Sequence, residues 1–186
     1  FDLHQEISSR KKTLRVLDVG CGDASVLSEL KTIYEPRIEA YGISVLEYPH
    51  SHGITYLICP AEVMPEEWNE YFDIVVTHQA FRYMLNPSAA LKECVRVLKP
   101  GGVFGGYIGT EYQKQRVFYS QKLSAELRAE VKRVFLENKT QFNDNFQQVL
   151  QSFATGFVAD VSYDENHCPY NIYLVKTGNK RIIRSS

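Results

Sequence analysis

The chain has 186 residues, of which 44% are hydrophobic, which is enough for one well-buried core but little for two. A net charge of −1 excludes the strongly basic surface of a polyanion-binding protein, so we expect no nucleic acid partner. No apolar run reaches membrane-spanning length and no leader-like segment occurs, which predicts a cytoplasmic protein that contacts no membrane.

The cysteines and histidines do not predict a metal site. The four cysteines lie far apart and share no C-x-x-C spacing: Cys21, Cys59, Cys94 and Cys168. This spacing also argues against a disulfide framework and fits a reducing compartment. His50 and His52 form an H-x-H pair in a loop-like stretch, and we interpret the pair as a solvated turn.

The first half of the chain alternates between strand-like and helix-like segments. Runs rich in apolar residues predict strands at residues 14–19, 38–43, 54–59, 72–77 and 102–109. Strands of this composition are typical of a parallel sheet that is buried on both faces. Because parallel strands need right-handed helical crossovers, we predict a doubly wound α/β sheet.

Two helices are predicted between these strands. The first carries four apolar residues at helical spacing, with Asp23 as its capping residue: Val26, Leu27, Leu30 and Ile33. The second is expected to be capped by Asn86, to begin at Pro87 and to end at the Pro-Gly-Gly of residues 100–102. Its apolar face is predicted to consist of Leu91, Cys94, Val95 and Leu98.

The pattern changes after Thr110. Apolar residues at helical spacing predict helices within residues 123–135 and 142–153. Residues 157–177 are typical of two strands joined by a polar turn at 164–167. Added to the five parallel strands, this hairpin gives a mostly parallel, seven-stranded sheet that ends in an antiparallel pair.

A glycine-containing loop, D-V-G-C-G-D at residues 18–23, follows the first strand. In an open α/β sheet, ligands bind beyond the carboxyl ends of the strands. Gly20 would permit the sharp turn, and Gly22 would let the backbone approach a ligand without a Cβ in the way. Asp18 can accept hydrogen bonds from a ligand ammonium. A tight turn without a ligand is the alternative interpretation.

A dinucleotide fingerprint needs a third glycine, and Ser25 stands at that position, which argues against a nicotinamide-dependent oxidoreductase. V-L-D-V-G-C-G, residues 16–22, instead resembles the first motif of class I S-adenosylmethionine-dependent methyltransferases. Residues 72–102, which end in R-V-L-K-P-G-G, resemble the small-molecule pattern of that superfamily. The hairpin at 157–177 is similar to the sixth and seventh strands that close its Rossmann-like fold.

The resemblance implies one methyltransferase-like domain over residues 1–186. Its parts would be a cofactor-binding core at 14–109, a helical lid or insert at 110–155 and a closing hairpin at 156–177. S-adenosylmethionine is the implied cofactor, and a small molecule is the implied methyl acceptor. The chain begins with Phe1 rather than Met, which is consistent with its being part of a longer chain.

The resemblance also implies which residues contact the cofactor, at the ends of successive strands: Asp18, Gly20, Cys21, Gly22, Ser44, Glu47, Ala61, Glu62, Thr77 and Gln79. Ser44 stands where the family has the acid that binds both ribose hydroxyls, and Glu47 follows three residues later. Pro60 stands where an acid would bond the adenine. His78 is the candidate general base, with a locally packed loop histidine as the alternative.

These departures support a second hypothesis. Ser44 and Pro60 both lack the expected carboxylate, and the crossover between Ser44 and Thr55 is too short for a regular helix of useful length. The alternative to an active enzyme is therefore a methyltransferase-like domain that has lost turnover and acts in binding or scaffolding.

Overall fold

The computed structural model of the chain describes residues 2–49, 53–107, 157–163 and 169–177. The helices within these ranges are α1 (Leu3–Ser9), α2 (Ser25–Tyr34) and α3 (Pro87–Val97). The strands are β1 (Leu14–Val19), β2 (Ile38–Ser44), β3 (Ile54–Ile58), β4 (Phe72–His78), β5 (Leu98–Tyr107), β6 (Phe157–Tyr163) and β7 (Pro169–Lys176). Short 3-10 turns lie at Glu66–Trp68 and Phe81–Tyr83.

These strands form one seven-stranded sheet in the order β3-β2-β1-β4-β5-β7-β6. The pairs from β3 through β5 are all parallel, whereas β7 runs antiparallel to both β5 and β6. The predicted mostly parallel sheet with a closing antiparallel hairpin is confirmed. The chain moves outward from β1 to β3 and then returns to β4, so the topological switch point lies between β1 and β4.

Each face of the sheet has its own apolar core. On one face, α1 and α2 contribute Ile7, Leu27 and Leu30 to a core with residues of β1, β2 and β4. On the other face, α3 packs through residues such as Leu91 and Cys94 against β1, β4 and β5. All residues of β4 except the last are buried, as expected for a central parallel strand. The doubly wound arrangement is therefore confirmed.

The start of α3 agrees with the sequence prediction, but its end does not. Asn86 Oδ1 accepts a hydrogen bond from Ala89 N at 3.0 Å, and Pro87 is the first helical residue. The helix stops at Val97, so the Pro-Gly-Gly of residues 100–102 lies inside β5 and does not end the helix. The carbonyls of its last turn are instead satisfied by amides of the segment before β4, because Val97 O accepts from Tyr71 N at 2.8 Å.

The predicted apolar stripe and cap of α2 were only partly correct. Leu27 and Leu30 are buried, whereas Val26 and Ile33 are 43% and 51% exposed, because α2 contacts the sheet along a narrower face than the spacing suggested. Ala24, in a left-handed conformation, occupies the N-cap position that was predicted for Asp23. The Asp23 carboxylate lies one residue earlier and accepts a hydrogen bond from Ser25 N at 3.1 Å.

The sequence analysis missed α1. Asp2 Oδ1 caps this helix by accepting from Gln5 N at 3.0 Å, and Ile7 is fully buried against the sheet. Tyr173 Oη of β7 donates to Glu6 Oε1 at 2.8 Å, which fixes α1 to a strand far away in sequence. Because Ile7 is the one residue of α1 that is buried, the local apolar pattern of this helix carries little signal.

Several predicted features lie outside the described residues. They are the helices within 123–135 and 142–153, the turn at 164–167, the last two residues of the 102–109 strand, the H-x-H pair at 50–52 and Cys168. None of the helices in the described part of the chain combines the length and apolar character that crossing a bilayer requires.

A buried ion-pair network joins the amino ends of three strands. Asp73 of β4 is 2% exposed, and its carboxylate accepts hydrogen bonds from Lys12 Nζ at 2.5 Å, Lys99 Nζ at 2.8 Å and Arg15 N at 3.0 Å. Burial alone would raise the pKa of Asp73, but these three hydrogen bonds outweigh it and hold the pKa below its ordinary value. The ionised carboxylate therefore stabilises the junction of β1, β4 and β5.

We expect Asp73→Asn to lower the free energy of unfolding at pH 7 by about 1–3 kcal/mol, because it removes charge-assisted hydrogen bonds from a buried site. The lowered pKa means that this contribution is present above the ordinary value of 3.8 and is lost as pH falls through the folded-state pKa. Urea denaturation at pH 7 and pH 3 measures the difference in the free energy of unfolding between Asp73→Asn and wild type. This difference should be smaller at pH 3.

Glu39→Gln is the control for this prediction. It breaks the exposed 2.9 Å ion pair between Arg15 Nε and Glu39 Oε2, and we expect it to cost less than about 1 kcal/mol. Equal losses in the two variants at pH 7 would contradict the role assigned to Asp73.

Candidate functional site

The loop between β1 and α2 lies at the switch point of the sheet. Gly20 follows β1 with φ +79°, which gives the sharp turn that the sequence predicted. Gly20 N and Cys21 N both donate to Ile43 O of β2, at 2.9 and 3.0 Å. The loop is therefore fixed to the carboxyl end of the neighbouring strand by backbone hydrogen bonds.

The two glycines of this loop have different roles. A Cβ added to Gly20 would lie 2.2 Å from the Cβ of Ala80, so close packing of the loop against the segment after β4 requires glycine there. A Cβ added to Gly22, with φ +54°, would meet no atom of the described residues within 4 Å. Gly22 thus borders open space at the end of the sheet, where a ligand can approach the backbone.

Asp18 lies beside this space with its carboxyl group buried. It is 6% exposed and is paired in the sheet with Gly42 and Val76, on the face that α2 covers. Among the residues that the structure describes, none donates a hydrogen bond to its carboxylate. Burial raises the pKa of Asp18 to about 7, because removal from water disfavours the charged form. A buried acid without a donor is a site for a cationic ligand group.

Cys21 is also buried, and its thiol stays protonated. Burial, together with the nearby Asp18 charge, raises the pKa of Cys21 to about 12. Since the thiolate is the reactive form, this cysteine is not a nucleophile. It contributes shape instead, because a Cβ on Gly42 would lie 2.6 Å from Cys21 Sγ.

The end of β2 places Ser44 next to the glycine loop. Ser44 is buried, its Oγ accepts from Leu46 N at 3.3 Å, and its carbonyl accepts from Cys59 N at 3.0 Å. Glu47 is exposed. The described part of the β2–β3 connection, residues 45–49 and 53, contains no helix, in agreement with the short crossover expected from the sequence.

The segment after β3 holds the next two candidates. Ala61 is buried in the core on the α3 face, and Pro60 is exposed. Glu62 Oε1 accepts from Asn86 N at 3.0 Å, so its carboxylate already serves the start of α3. The position of Glu62 is therefore set by the fold.

Three candidates stand at the end of β4. Thr77 is buried, and its Oγ1 donates to Val19 O at 3.0 Å. Gln79 has a left-handed φ of +61°, and its backbone N–H donates to Tyr107 O at 2.6 Å. His78 lies between them with an exposed side chain, and its ring centroid is 6.1 Å from that of Tyr107. His78 is thus the most exposed member of this trio.

The fold therefore brings Asp18, Cys21, Gly22 and Ser44 together at one edge, and it places Thr77, His78 and Gln79 at the end of the adjacent strand β4. Sequence reasoning missed two residues there. Ala80 is one of them: it packs so closely on Gly20 that position 20 requires glycine, and nothing in the local pattern indicates this contact. Tyr56 of β3 reaches the glycine loop with its hydroxyl, 2.9 Å from Gly22 O. Strand alternation predicts the face on which Tyr56 lies but not how far it reaches.

No group of three or more His, Cys, Asp or Glu side chains within the described ranges is arranged to hold a metal ion.

Comparison with known proteins shows a similarity to methyltransferases. Residues 17–105 match the sequence family described as a methyltransferase domain, and they run from β1 to β5. The core from β1 to β5 is therefore similar to methyltransferase domains. The resemblance drawn from the two sequence blocks is confirmed.

The individual relatives are O-methyltransferases. The ubiquinone biosynthesis O-methyltransferase of Pseudomonas putida (strain F1) is 32% identical over 98 residues, covering 47% of this chain and 41% of the relative. The enzyme of the same name from Pseudomonas fluorescens (strain SBW25) has the same identity and coverage. The chain thus spans about two fifths of the length of these curated relatives.

Solved structures have the same fold at low sequence identity. The plantazolicin methyltransferase BpumL in complex with SAH is 13% identical, with a TM-score of 0.64 and coverage of 94% of this chain and 80% of that chain. A putative S-adenosyl-L-methionine-dependent methyltransferase from Methanococcus maripaludis is 16% identical, with a TM-score of 0.56 and coverage of 92% and 81%.

We expect the difference in stability between Asp18→Asn and wild type to depend on pH. Folded Asp18 keeps its proton up to about pH 7, whereas the unfolded chain releases it near the ordinary value of 3.8. The unfolded state therefore binds fewer protons in this window, and the wild-type free energy of unfolding falls by up to about 1.4 kcal/mol per pH unit. Asparagine cannot ionise. The free energy of unfolding of the variant relative to that of wild type should therefore rise from pH 4 to pH 7 and keep this higher value at pH 8.

Urea denaturation of the unliganded protein at pH 4, 6 and 8 measures this difference. Asp23→Asn is the matched control, since Asp23 is an exposed carboxylate of the same loop. Any pH dependence of the difference between this control and wild type is the level that the Asp18→Asn difference must exceed. A constant difference for Asp18→Asn would contradict the raised pKa that burial gives this acid.

Proposed function

We propose that this chain binds S-adenosylmethionine at the β1–α2 loop and transfers its methyl group to a small-molecule acceptor. The observation that carries the proposal is that Asp18 and Gly22 lie at the same edge of the sheet. A buried carboxyl to which none of the described residues donates a hydrogen bond lies at the same edge of the sheet as Gly22, whose α-carbon is open among those residues. The cofactor presents a cationic ammonium on a slender chain, which fits both features.

Residues of the loop and of the neighbouring strand ends would contact different parts of the cofactor. Asp18 in its ionised form would accept hydrogen bonds from the cofactor ammonium, and the absence of a side chain on Gly22 would leave room for the aminocarboxypropyl chain. Ser44 would lie at the ribose end. Glu62 and Thr77, whose polar groups bond to Asn86 N and Val19 O, would maintain the shape of the site.

Bound S-adenosylmethionine supplies an activated methyl group on a sulfonium, which is already a good leaving group. The chain's own residues then have to align the acceptor and remove its proton. His78 is the proposed general base, because its imidazole is exposed at the end of β4, next to the candidate cofactor site. We infer a hydroxyl acceptor from the O-methyltransferase relatives, since a hydroxyl is an acceptor for which such a base is useful.

An inactive binding or scaffolding domain is the second candidate. The observations that favour it are Ser44 and Pro60 in place of acids, together with the β2–β3 connection, whose described part contains no helix. This candidate predicts that the adenosine half of the cofactor binds weakly or not at all. Binding measurements separate the two candidates directly.

We expect the chain to bind S-adenosylhomocysteine (SAH) with a Kd in the micromolar range (~10⁻⁶–10⁻⁵ M), as isothermal titration calorimetry would measure. Gly22→Ala should weaken this binding at least about tenfold, because a methyl group would enter the space for the ligand. No binding at millimolar SAH would refute the proposed function in favour of the scaffolding domain.

Gly101→Ala is the matched control for Gly22→Ala. Gly101 also has a positive φ, +77°, and a Cβ there would likewise meet nothing within 4 Å among the described residues. It lies in the first half of β5, away from the loop, so its substitution adds the same kind of backbone strain without obstructing the site. Gly20→Ala, in contrast, should lower stability strongly because of its contact with Ala80.

The affinity for SAH should also depend on pH. The cofactor ammonium favours ionised Asp18, so binding has to release the proton that burial retains up to about pH 7. Raising the pH from 6 to 8 should therefore strengthen binding about tenfold. In Asp18→Asn, binding should be weak and should lose this dependence, and a variant that retained the tenfold change would contradict the role of Asp18.

A further inference from the structure

β3 forms one edge of the sheet, and no strand of the described residues pairs with its outer side. Cys59 N, one residue after β3, donates to Ser44 O of β2 at 3.0 Å. In a parallel ladder the backbone polar groups of alternate residues point toward the neighbouring strand, so those of Ile54 and Ile58 point away from β2. Among the described residues, these two have no hydrogen-bond partner on the outer side.

The two edges of the described sheet differ in the features that prevent strand pairing. β6, the other edge, carries Asp160 at its centre, and its register with β7 shifts between Ser162 and Tyr163. A charged residue and a bulge are devices by which proteins keep edge strands from pairing with other chains. β3, with the sequence I-T-Y-L-I, contains no charged residue and no proline, and its register with β2 has no shift. β3 is thus the edge that lacks these protective features.

The sequence of β3 is complementary to itself when two copies run antiparallel. The register that pairs all its residues places Ile54 opposite Ile58 of the second copy and Thr55 opposite Leu57. Ile54 lies on the α2 face and, by strand alternation, Ile58 shares that face, so the two isoleucines would meet. Ile58 is 52% exposed in the single chain, and this contact would cover it. Ile54 and Ile58 would also exchange the backbone hydrogen bonds of an antiparallel pair.

The surface beside the carboxyl end of β3 is apolar as well. Leu46 O lies 3.0 Å from the Tyr56 hydroxyl, which places the start of the β2–β3 connection against the α2 face of β3. Val45 and Leu46 of this connection are 68% and 59% exposed. Exposed apolar side chains that cluster in this way mark sites of protein association. The edge therefore offers apolar surface in addition to backbone hydrogen bonds.

We propose that two copies of this chain associate through β3, antiparallel about a twofold axis, so that their sheets become continuous. The second copy fits because the uncharged strand brings no like charges together and because Ile54 finds its apolar counterpart, Ile58, in the same strand. Association of this kind closes at the dimer, since β6 carries the protective features. The candidate sites of the two copies would face in opposite directions. This inference does not rest on the proposed function.

Sedimentation velocity of the whole chain over a range of concentrations measures the association. Because the interface consists of one short strand and a small apolar surface, we expect a monomer–dimer equilibrium with a Kd of ~10⁻⁶–10⁻⁵ M. Hydrogen exchange followed by NMR identifies the surface. The amides of Ile54 and Ile58 should exchange more slowly well above the Kd than well below it. Those of Leu57 and Cys59, which face β2, should be protected at both concentrations.

Two pairs of variants test whether β3 itself forms the contact. Ile58→Pro removes an outward N–H, and its matched control Ile58→Val keeps that group. Thr55→Lys adds a charge at an exposed position of the edge, and Thr55→Val is its uncharged control. Ile58→Pro and Thr55→Lys should each raise the dimer Kd at least about tenfold, because every substitution occurs twice in the pair. The two controls should stay within about threefold of wild type.

Ile33→Ser tests for nonspecific association, because it removes an exposed apolar side chain of α2 and should leave the dimer Kd unchanged. Loss of the dimer in this variant would assign the contact to α2 and overturn the inference. Circular dichroism establishes that each variant is folded, and Thr55→Lys carries the test if Ile58→Pro is not.

Three further results would overturn the pairing of β3. One is a chain that stays monomeric at about 10⁻⁴ M, including a monomer in which the amides of Ile54 and Ile58 exchange slowly at every concentration. Such protection would mean that the edge is covered by its own chain. The others are a dimer that Thr55→Lys leaves intact and association that continues beyond the dimer.

Discussion

Burial of both faces of the central strands is the constraint on which the rest of this structure depends. β1 and β4 lie between two apolar cores, so polar groups within them are costly unless a partner is supplied. Ligand-binding groups are therefore concentrated at the strand ends, where the loops leave the sheet. Backbone hydrogen bonds from the glycine loop to Ile43 O fix that edge in place.

Asp18 is the exception to this constraint, and it defines the candidate site. Asp73, the comparable buried acid of β4, receives two lysines and a backbone amide, and its pKa is lowered. Asp18 receives no hydrogen bond from the described residues, and its pKa is raised. One carboxylate stabilises the fold, and the other, in our proposal, is stabilised only when a cationic ligand binds.

Much of the architecture was predictable because its signals are local. The apolar runs that predicted β1 and β4 reflect burial on both faces, and Asn86 with Pro87 marked the start of α3 correctly. The errors occurred where distant residues compete with local pattern. Strand pairing extends β5 back to Leu98, which moves the end of α3, and contacts with β7 hold the short helix α1 that the pattern did not indicate.

In the candidate site, too, some features were predictable from the local sequence and others depend on contacts between distant residues. The order of residues alone indicated the glycine loop, the resemblance to methyltransferases and the departures from that pattern at Ser44 and Pro60, because each depends on neighbouring residues. Only the folded chain determined that Gly20 packs on Ala80 and that Tyr56 reaches Gly22 O, since both contacts join loops and strands far apart in sequence. Burial belongs to the assembled sheet, so the raised pKa of Asp18 also follows from tertiary structure.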